Sequence, residues 1–467
     1  MKRTHIAKLG NEVGNEVRID GWVSIRRDHG KLIFMDVRDV SGTAQVVVLP
    51  NHKEAHDTAQ KIRNEWVVEI KGKVNKRPEK MINKDVINGE IELEAMEITV
   101  LNESETPPFD LLTDGKEVNE ETRLTYRYLD LRRPRLQKNI IIRGKITQFI
   151  REYLSKEEFT EMETPILTKS TPEGARDYVV PSRLEKGKFY ALPQSPQQYK
   201  QLLMVAGLEK YFQIARCMRD EDTRGDRQPE FTQLDLEMSF VSREDVMHLN
   251  ESLLIELVEK FFSEKKIQEK PFPIITYKEA MDKYGTDSPD LRKDKNNSNI
   301  LAFCWIVDFP FFSAVGGPAS SGKPAWTFTH NPFSAPKPEH LEWLMAEKNI
   351  PEILTSQYDI ALNGLEIGGG SVRNHQAKAL SKVFEIIGYK KEEIENNFGH
   401  MLKALSHGAP PHGGIAWGLD RLFSILLDEP NIREVIAFPK TGEGKDLMMN
   451  APSEISKEQL KELGLKL

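Results

Sequence analysis

The stretch from Phe212 to Phe240 constrains the fold of this chain more than any other, because two apolar runs enclose a densely charged segment. The first run covers residues 211–215, and in the second, residues 231–240, apolar and polar side chains alternate. The segment between the runs places Arg219, Glu221, Arg224 and Arg227 within nine residues. The pattern predicts two antiparallel strands joined by a charged loop. A guanidinium group on such a loop can bind phosphate oxygens through two parallel hydrogen bonds, while an aromatic ring stacks on a planar base.

Composition indicates an ordinary globular chain of two or three domains. The 467 residues are 39% apolar and 29% charged, which is enough for a sizeable core. There is no apolar run long enough for a membrane span, and the first residues, MKRTHIAKLGNE, lack the apolar segment of a secretory signal. Cys217 and Cys304 each lie in an apolar run, as expected of buried free thiols in a reducing compartment. We therefore expect a cytoplasmic protein with no membrane association.

The net charge of −7 argues against a surface coated with basic residues, but it allows a local basic patch. The segment from Arg123 to Lys138 has six basic side chains against the single acid Asp130. It can be a surface for nucleic acid or simply a solvated face, and the sequence leaves both open.

Residues 1–104 predict an all-β domain with one polar helix at residues 52–64. The alternation of apolar and acidic residues from Ile91 to Ala95 changes phase at Met96, which predicts a β-bulge there. Five strands are predicted, at residues 17–26, 31–38, 43–49, 65–74 and 90–100. Five short strands with one helix between the third and fourth are typical of an OB-fold barrel, which often binds single-stranded nucleic acid.

The remainder of the chain predicts a linker and then an α+β domain. Paired prolines after residue 104 begin a hinge or linker at residues 105–134, and the second domain covers residues 135–467. Its first element is a long amphipathic helix from Arg135 to Ser155, and a second strong helix begins at a Ser242 cap. Strands and helices alternate from there to the end of the chain.

Three further segments carry residues suited to binding and catalysis. Gln197 and Lys200 lie three positions apart in a predicted helix and therefore share one face. Asp359 and Glu366 are two carboxylates predicted on neighbouring strands, and magnesium prefers such ligands together with phosphate oxygens. The glycine triplet 368–370 lets the backbone approach a substrate closely.

Together these segments resemble the class II aminoacyl-tRNA synthetases. The long helix followed by Thr164-Pro165 is similar to motif 1, RDEDTRGDRQPEF to motif 2, and GIAWGLDR to motif 3. The spelling of motif 2 is similar to that of bacterial aspartyl-tRNA synthetases. A Walker A sequence and the HIGH and KMSKS signatures of class I synthetases are absent. The resemblance implies an N-terminal OB-fold that binds the anticodon and a catalytic domain with an antiparallel sheet flanked by helices. The insertion usual in bacterial members is largely missing near residues 285–300.

The same resemblance implies a reaction and the residues for it. Aspartate would be activated by ATP, with Mg²⁺, and transferred to tRNA(Asp) by a homodimer built on the motif 1 helix and strand. The implied catalytic residues are Arg219, Glu366 and Arg421. The implied aspartate-binding residues are Glu173, Gln197, Lys200, Arg219, Asp235, His330 and Arg373. The implied ATP-binding residues are Arg219, Asp220, Glu221, Gln228, Phe231, Glu366, Gly418, Leu419, Asp420 and Arg421. The metal ligands are Asp359 and Glu366.

Lys200 and Arg373 are the basis for expecting aspartate as the amino acid. Two cations that converge on one pocket favour an anionic side chain, because a neutral one leaves a buried guanidinium under-paired. Asp235 is expected to orient Lys200 or the arginine. His330 belongs to a segment similar to a loop that closes on bound aspartate, although this chain has Asn331 where the family has a second histidine.

The resemblance also places four anticodon-binding residues in the OB-fold, namely Arg27, His29, Phe34 and Gln45. Histidine at position 29 favours an enzyme that also charges tRNA(Asn), whereas leucine is typical of enzymes restricted to tRNA(Asp). The alternatives are an enzyme restricted to tRNA(Asp), an asparaginyl-tRNA synthetase, and a paralogue that binds RNA without catalysis.

Overall fold

The computed structural model describes residues 1–84, 86–170, 174–318 and 324–466, without the side chains of residues 316–318 and 324–325. The chain divides into two compact units, residues 1–137 and 138–467, each with its own core. Within the described ranges, no helix is both long enough and apolar enough to cross a membrane.

The first unit contains a closed five-stranded barrel in the order β1-β2-β3-β5-β4, as predicted for an OB-fold. Alternation builds it: Ile33, Met35 and Val37 are fully buried, while the residues between them point outward. Lys71 pairs with Glu97 and Gly72 with Ala95, so Met96 is skipped and the predicted bulge is confirmed. The strands are β1 (Glu16–Asp28), β2 (Ile33–Asp39), β3 (Gly42–Val48), β4 (Val67–Lys76) and β5 (Ile91–Asn102).

Short helices complete this unit. They are α1 (Lys53–Lys61), α2 (Glu120–Thr125) and α3 (Arg127–Asp130), with 3-10 turns at Ile6–Glu12 and Glu79–Met81. Asp130 is fully buried, and it pairs with Arg127 at 2.7 Å, Arg133 at 2.8 Å and Arg123 at 3.1 Å. The interpretation of this segment as a solvated or nucleic-acid-binding face is therefore wrong for these three arginines, which are buried around one carboxylate.

The second unit is built on an eight-stranded sheet in the order β12-β14-β17-β18-β19-β10-β9-β6. Neighbouring strands are antiparallel except at the two edges, where β12 pairs with β14 and β6 with β9 in parallel. The strands of this unit are β6 (Thr160–Glu161), β7 (Val179–Pro181), β8 (Phe189–Ala191), β9 (Lys210–Met218), β10 (Glu230–Ser239), β11 (Lys266–Ile267), β12 (Ile274–Thr276), β13 (Ile300–Leu301), β14 (Phe303–Val307), β15 (Phe312–Pro318), β16 (Pro324–Phe328), β17 (Gln357–Leu362), β18 (Leu365–Val372) and β19 (His412–Gly418).

Helices pack on this sheet and form its main core. The apolar stripe of α4 contributes Ile146 and Ile150, both fully buried, and Ser242 caps α6 through a reciprocal bond with Asp245, as its sequence predicts. The helices are α4 (Pro134–Lys156), α5 (Gln197–Val205), α6 (Arg243–Phe261), α7 (Tyr277–Tyr284), α8 (Leu341–Met345), α9 (Ala377–Ile386), α10 (Lys391–Leu405), α11 (Leu419–Leu426) and α12 (Lys457–Leu463), with 3-10 turns at Pro338–His340, Ile350–Glu352 and Ile432–Val435. Residues 285–299, where bacterial relatives were expected to carry an insertion, form an irregular connection between α7 and β13.

Candidate active site

The predicted hairpin consists of strands β9 and β10. Their antiparallel pairing runs from the partners Met218 and Glu230 to the partners Lys210 and Met238. The connecting segment, residues 219–229, is called the hairpin loop below. Arg219 begins this loop, and its guanidinium lies 5.1 Å from the centre of the Phe231 ring. Its backbone N–H donates to the carbonyl of Pro229 at 2.8 Å, so the base of the loop is closed.

Two adjoining cavities open beside this hairpin. The larger cavity has a volume of about 520 Å³ and the smaller cavity about 210 Å³. The residues lining both are Arg219, Glu221, Arg227, Gln233, Glu366 and Ala416. Because the two spaces share a wall, ligands bound in them would meet at Arg219 and Glu366.

At the floor of the larger cavity, two cations and two carboxylates form a buried network. The Lys200 ammonium from α5 lies 2.8 Å from Asp235 and 3.2 Å from Glu237. The guanidinium of Arg373, which follows β18, donates to both oxygens of Glu237 at 2.9 and 3.1 Å. All four residues are at most 2% exposed. The two cations therefore converge, as predicted, and Asp235 contacts Lys200.

This network corrects the charge argument made from the sequence. Within this network the two cations are already matched by two carboxylates, so the network itself carries no uncompensated positive charge. Lys200 has acceptors for its three N–H groups in Asp235, Glu237 and the carbonyl of Leu236. For Arg373, the acceptors among described residues are Glu237, Ser371 and the carbonyl of Gly414, which take four of its five N–H groups. One N–H of Nη1 remains for a ligand.

Glu237 belongs to this network, although the sequence assigned no role to it. Burial raises the pKa of its carboxyl, but Arg373 and Lys200 outweigh burial and lower the pKa to about 2. Burial raises the pKa of Asp235, whose Oδ1 is buried and makes no hydrogen bond among the described residues. The signal was present in the alternation along β10, which places Gln233, Asp235 and Glu237 on one face.

Asp359 and Glu366 also line the larger cavity. Asp359 pairs in register with Gly369, and a Cβ built on Gly369 would lie 2.6 Å from Oδ1 of Asp359 and 3.5 Å from Oε1 of Glu366. Burial and the neighbouring charge of Glu366 raise the pKa of Asp359 well above its usual value. Two carboxylates converging where no side chain intrudes fit a divalent cation. Among described residues, groups of three or more potential metal ligands are absent, so the site would need oxygens from a substrate or from water.

The smaller cavity is lined by polar groups whose partners are incomplete. Oε1 of Gln228 accepts a hydrogen bond from the backbone of Lys440 at 2.7 Å, but its buried Nε2 has no partner among described residues. Arg421, from α11, donates to the carbonyl of Glu366 and, at 3.1 Å, to Asp226. Gly418 lines the same cavity immediately before α11.

Several residues assigned to ATP or aspartate have other surroundings. Leu419 is buried in the main core. Asp420 borders the smaller cavity, but its oxygens accept from Arg143 and from the backbone of Thr232. Asp220 is partly exposed, pairs with Arg176 at 3.2 Å and lines neither cavity. Glu173 lies outside the described residues.

The remaining candidates border the larger cavity. His330 packs edge-on against Phe309 with ring centres 4.6 Å apart, and burial lowers the pKa of its imidazole. Gln197 lines the cavity and donates to Gln201 at 3.0 Å. Asn331 accepts from the backbone of Phe333 at 3.0 Å, which is the role of a turn residue.

In the first unit, the four anticodon candidates occupy the outer surface of the barrel. Arg27 and Phe34 are cross-strand partners, and His29 packs edge-on against Phe34 at 5.6 Å. Arg27 is held by both oxygens of Asp36 at 2.8 and 2.9 Å. Gln45 pairs across β2–β3 with Asp36 and donates to Glu92 at 3.4 Å. Phe34 is half-buried on the outer face and is not a core residue.

Sequence comparisons agree with this architecture. Residues 119–442 match the family of tRNA synthetases class II (D, K and N), and residues 17–101 match the OB-fold nucleic acid binding domain. The aspartate–tRNA(Asp/Asn) ligase of Rubrobacter xylanophilus is 42% identical over 100% of this chain and 97% of its own length. A protein of the same name from Thermoanaerobacter sp. is 40% identical over 100% of this chain and 98% of its own length. Its alignment spans 595 positions against 467 residues here, so the relative contains a long stretch without a counterpart.

Solved structures show the same fold. The asparaginyl-tRNA synthetase of Pyrococcus horikoshii superimposes with a TM-score of 0.74 at 23% identity, over 94% of this chain and 98% of that one. An aspartyl tRNA synthetase of Entamoeba histolytica superimposes with a TM-score of 0.73 at 22% identity, over 94% of this chain and 91% of that one. Because both identities are low, these likenesses support the fold and leave the amino acid open.

Proposed function

This chain belongs to the class II tRNA synthetases of the D, K and N group, and from that membership we propose that it is an aspartate–tRNA ligase. In the first step, an α-carboxylate oxygen of aspartate attacks the α-phosphorus of ATP, and pyrophosphate leaves. In the second, the terminal ribose hydroxyl of tRNA attacks the acyl carbon, and AMP leaves. Positioning and charge stabilisation suffice for both steps, without a protein nucleophile.

The observation that carries the proposal is the Lys200–Glu237–Arg373 network at the floor of a cavity that adjoins a second, arginine-lined one. We assign the larger cavity to aspartate, whose side-chain carboxylate would accept the remaining N–H of Arg373. Lys200 fixes the two protein carboxylates, and Asp235 holds Lys200. Gln197 and His330 would border the amino acid, and the loop containing Glu173 would contribute a carboxylate for its ammonium group.

We assign the smaller cavity to ATP. Phe231 would support the adenine ring, Glu221 would accept from the exocyclic amine, and the free Nε2 of Gln228 would donate to the nucleotide. Arg219, on the wall shared by both cavities, would contact the α-phosphate and the attacking carboxylate. It would thereby stabilise the negative charge that develops in the transition state. Arg421 would contact the terminal phosphate.

Asp359 and Glu366 would hold Mg²⁺, which would neutralise phosphate charge when bound. Their convergence near Gly369 and the raised pKa of Asp359 support this assignment. In the ligand-free protein, these carboxylates repel one another and thereby prepare a site for a cation.

The barrel would read the anticodon through Phe34, with Arg27, Gln45 and His29 beside it. Single-stranded bases suit stacking on an exposed aromatic ring. The pairing of His29 with Phe34 and the names of two relatives support a preference that includes tRNA(Asn) as well as tRNA(Asp). Aminoacylation of purified tRNA(Asn) transcript, wild type beside His29→Leu, tests it. Absence of aspartyl-tRNA(Asn) product with wild type would contradict it.

We further propose a homodimer through α4, β6 and the Thr164-Pro165 segment, in the cytoplasm. Exposed Ile141 on α4 and exposed Ile166 and Leu167 after the proline support an apolar interface. Two buried free cysteines support a reducing compartment.

Aspartate-dependent exchange of pyrophosphate into ATP, without tRNA, tests the activation step. We expect exchange with aspartate and at least a hundredfold less with asparagine at equal concentration. Equal exchange with both, or with asparagine alone, would identify a different amino acid. No exchange with either would support the alternative of an RNA-binding protein without catalysis.

A further inference from the structure

The smaller cavity contains an acid beside the arginine that we assign to the terminal phosphate. Asp226, near the tip of the hairpin loop, accepts a hydrogen bond from Nη2 of Arg421 at 3.1 Å. Both side chains line the smaller cavity, with Arg421 21% and Asp226 35% exposed. A carboxylate thus occupies a guanidinium face that an anionic ligand would otherwise contact.

The hairpin loop is tied so that Asp226 stays at this place. Arg224 and Arg227 exchange backbone hydrogen bonds at 3.1 and 3.2 Å, which makes a tight turn with Asp226 at its corner. The carbonyl of Gly225 accepts from the backbone N–H of Ile432 at 3.0 Å, which fixes the turn from the other side. The contact between Asp226 and Arg421 therefore follows from the loop geometry as well as from the attraction of the charges.

Arg421 itself is incompletely paired. Its Nη1 donates to the carbonyl of Glu366, whereas its buried Nε makes no hydrogen bond among the described residues. The guanidinium is thus directed into the cavity by one neutral acceptor and one charged one. Of these two, only the Asp226 carboxylate is on a side chain that can rotate away.

We propose that Asp226 occupies the position on Arg421 that the terminal phosphate of ATP takes, so that the polyphosphate must displace it. This inference rests on the assignment of the smaller cavity to ATP and names a residue that sets its selectivity. A pyrophosphate or triphosphate group carries enough charge to displace one carboxylate from a guanidinium. AMP does not reach Arg421 and leaves the ion pair intact. Asp226 thereby reduces the affinity for polyphosphates without affecting the affinity for AMP.

The test compares Asp226→Asn and Asp226→Ala with wild type in three measurements. We expect the KM for ATP in aspartate-dependent exchange and the dissociation constant of inorganic pyrophosphate to fall about three- to tenfold, as for removal of one competing, partly exposed ion pair. Inhibition by AMP should change by less than about twofold. Asp226→Glu keeps the charge and should show no such gain.

Asp222→Asn is the matched control. Asp222 is in the same loop and is exposed, but it lines neither the smaller nor the larger cavity. The Asp222→Asn variant removes the same charge from the loop as Asp226→Asn, and it should leave the KM for ATP unchanged. Equal gains in Asp222→Asn and Asp226→Asn would show a general charge effect and overturn the proposal.

A raised KM for ATP with a lower kcat in both Asp226 variants would also overturn it, since that result means that Asp226 only holds the loop or Arg421 in place. So would unchanged pyrophosphate affinity. Failure of the proposed function would look different: wild type would show no aspartate-dependent exchange. Calorimetric titration with pyrophosphate would then still compare Asp226→Asn with wild type, because it requires no catalysis.

Discussion

Replacing Glu237 by glutamine should destabilise the second unit strongly, because one buried carboxylate holds both cations of the network. Glu237 is 0% exposed and accepts from Arg373 at 2.9 and 3.1 Å, with Lys200 at 3.2 Å. The amide would present an NH₂ group to one of these cations and carry no charge for the other. Breaking a buried ion pair by removing one partner costs about 3–5 kcal/mol.

The pKa of Glu237 gives a second estimate of the stability that this carboxylate contributes. It falls from the usual 4.5 to about 2 in the folded protein. At about 1.4 kcal/mol for each tenfold change in proton affinity, this corresponds to about 3 kcal/mol of stability carried by the charged form. The folded-state pKa is lowered, so the contribution is fully present above pH 4.5 and is lost as the pH falls toward 2.

Urea unfolding at several pH values, followed by tryptophan fluorescence, measures this contribution. We expect the free energy of unfolding of Glu237→Gln to be about 3 kcal/mol below that of wild type at pH 7 and at pH 5.5. The difference should shrink progressively below about pH 4.5. The control is Glu244→Gln, because Glu244 is 67% exposed and its contact to Arg243 at 3.0 Å is with a neighbouring side chain. That variant should lose less than about 1 kcal/mol. A loss below 1 kcal/mol for Glu237→Gln, or a loss that does not change with pH, would refute the reasoning.

Three further outcomes are expected. Gly369→Ala should lower exchange activity at least tenfold and raise the Mg²⁺ concentration for half-activity, because the new Cβ would lie 2.6 Å from Asp359; an unchanged Mg²⁺ titration would argue against the metal assignment. Cys304 should resist iodoacetamide in the native protein at pH 8 and react after unfolding, because burial raises the pKa of its thiol to about 12; labelling without unfolding would contradict this. Phe34→Ala should raise the KM for tRNA about tenfold, as expected for loss of one stacked base, while aspartate-dependent exchange stays unchanged; a loss of exchange would indicate a role in folding.

The elements that the sequence predicted are those whose signal is local. The alternation in β10, the phase change at Met96 and the cap at Ser242 each depend on a few adjacent residues, and each is present in the structure. The hairpin of β9 and β10 is present for the same reason.

The partners of the site residues could not be predicted, because they are distant in sequence. Lys200 and Asp235 are 35 positions apart, and Arg373 and Glu237 are 136 apart. Counting charges gave two cations for one ligand carboxylate, but it could not show that two protein carboxylates are already bound to them. The same limit applied to Asp130. The sequence shows six basic side chains in residues 123–138, but it could not show that three of them are buried around this carboxylate.

Asp420 and Arg421 show how adjacent residues of one motif divide their tasks. They are consecutive on α11, so their side chains diverge by about 100° around the helix axis. Arg421 is therefore directed into the smaller cavity. Asp420 accepts from Arg143 of α4 and from the backbone of Thr232 on β10 at 3.0 Å, which ties the segments that resemble motifs 1, 2 and 3 together. A carboxylate with both oxygens engaged in this way cannot also approach a nucleoside triphosphate without breaking its bonds to Arg143 and Thr232. The repulsion between the carboxylate and the phosphates would also oppose such an approach. The acid of the motif is thus best understood as the group that fixes the position of the arginine, and this three-element contact would set the geometry of the proposed phosphate site.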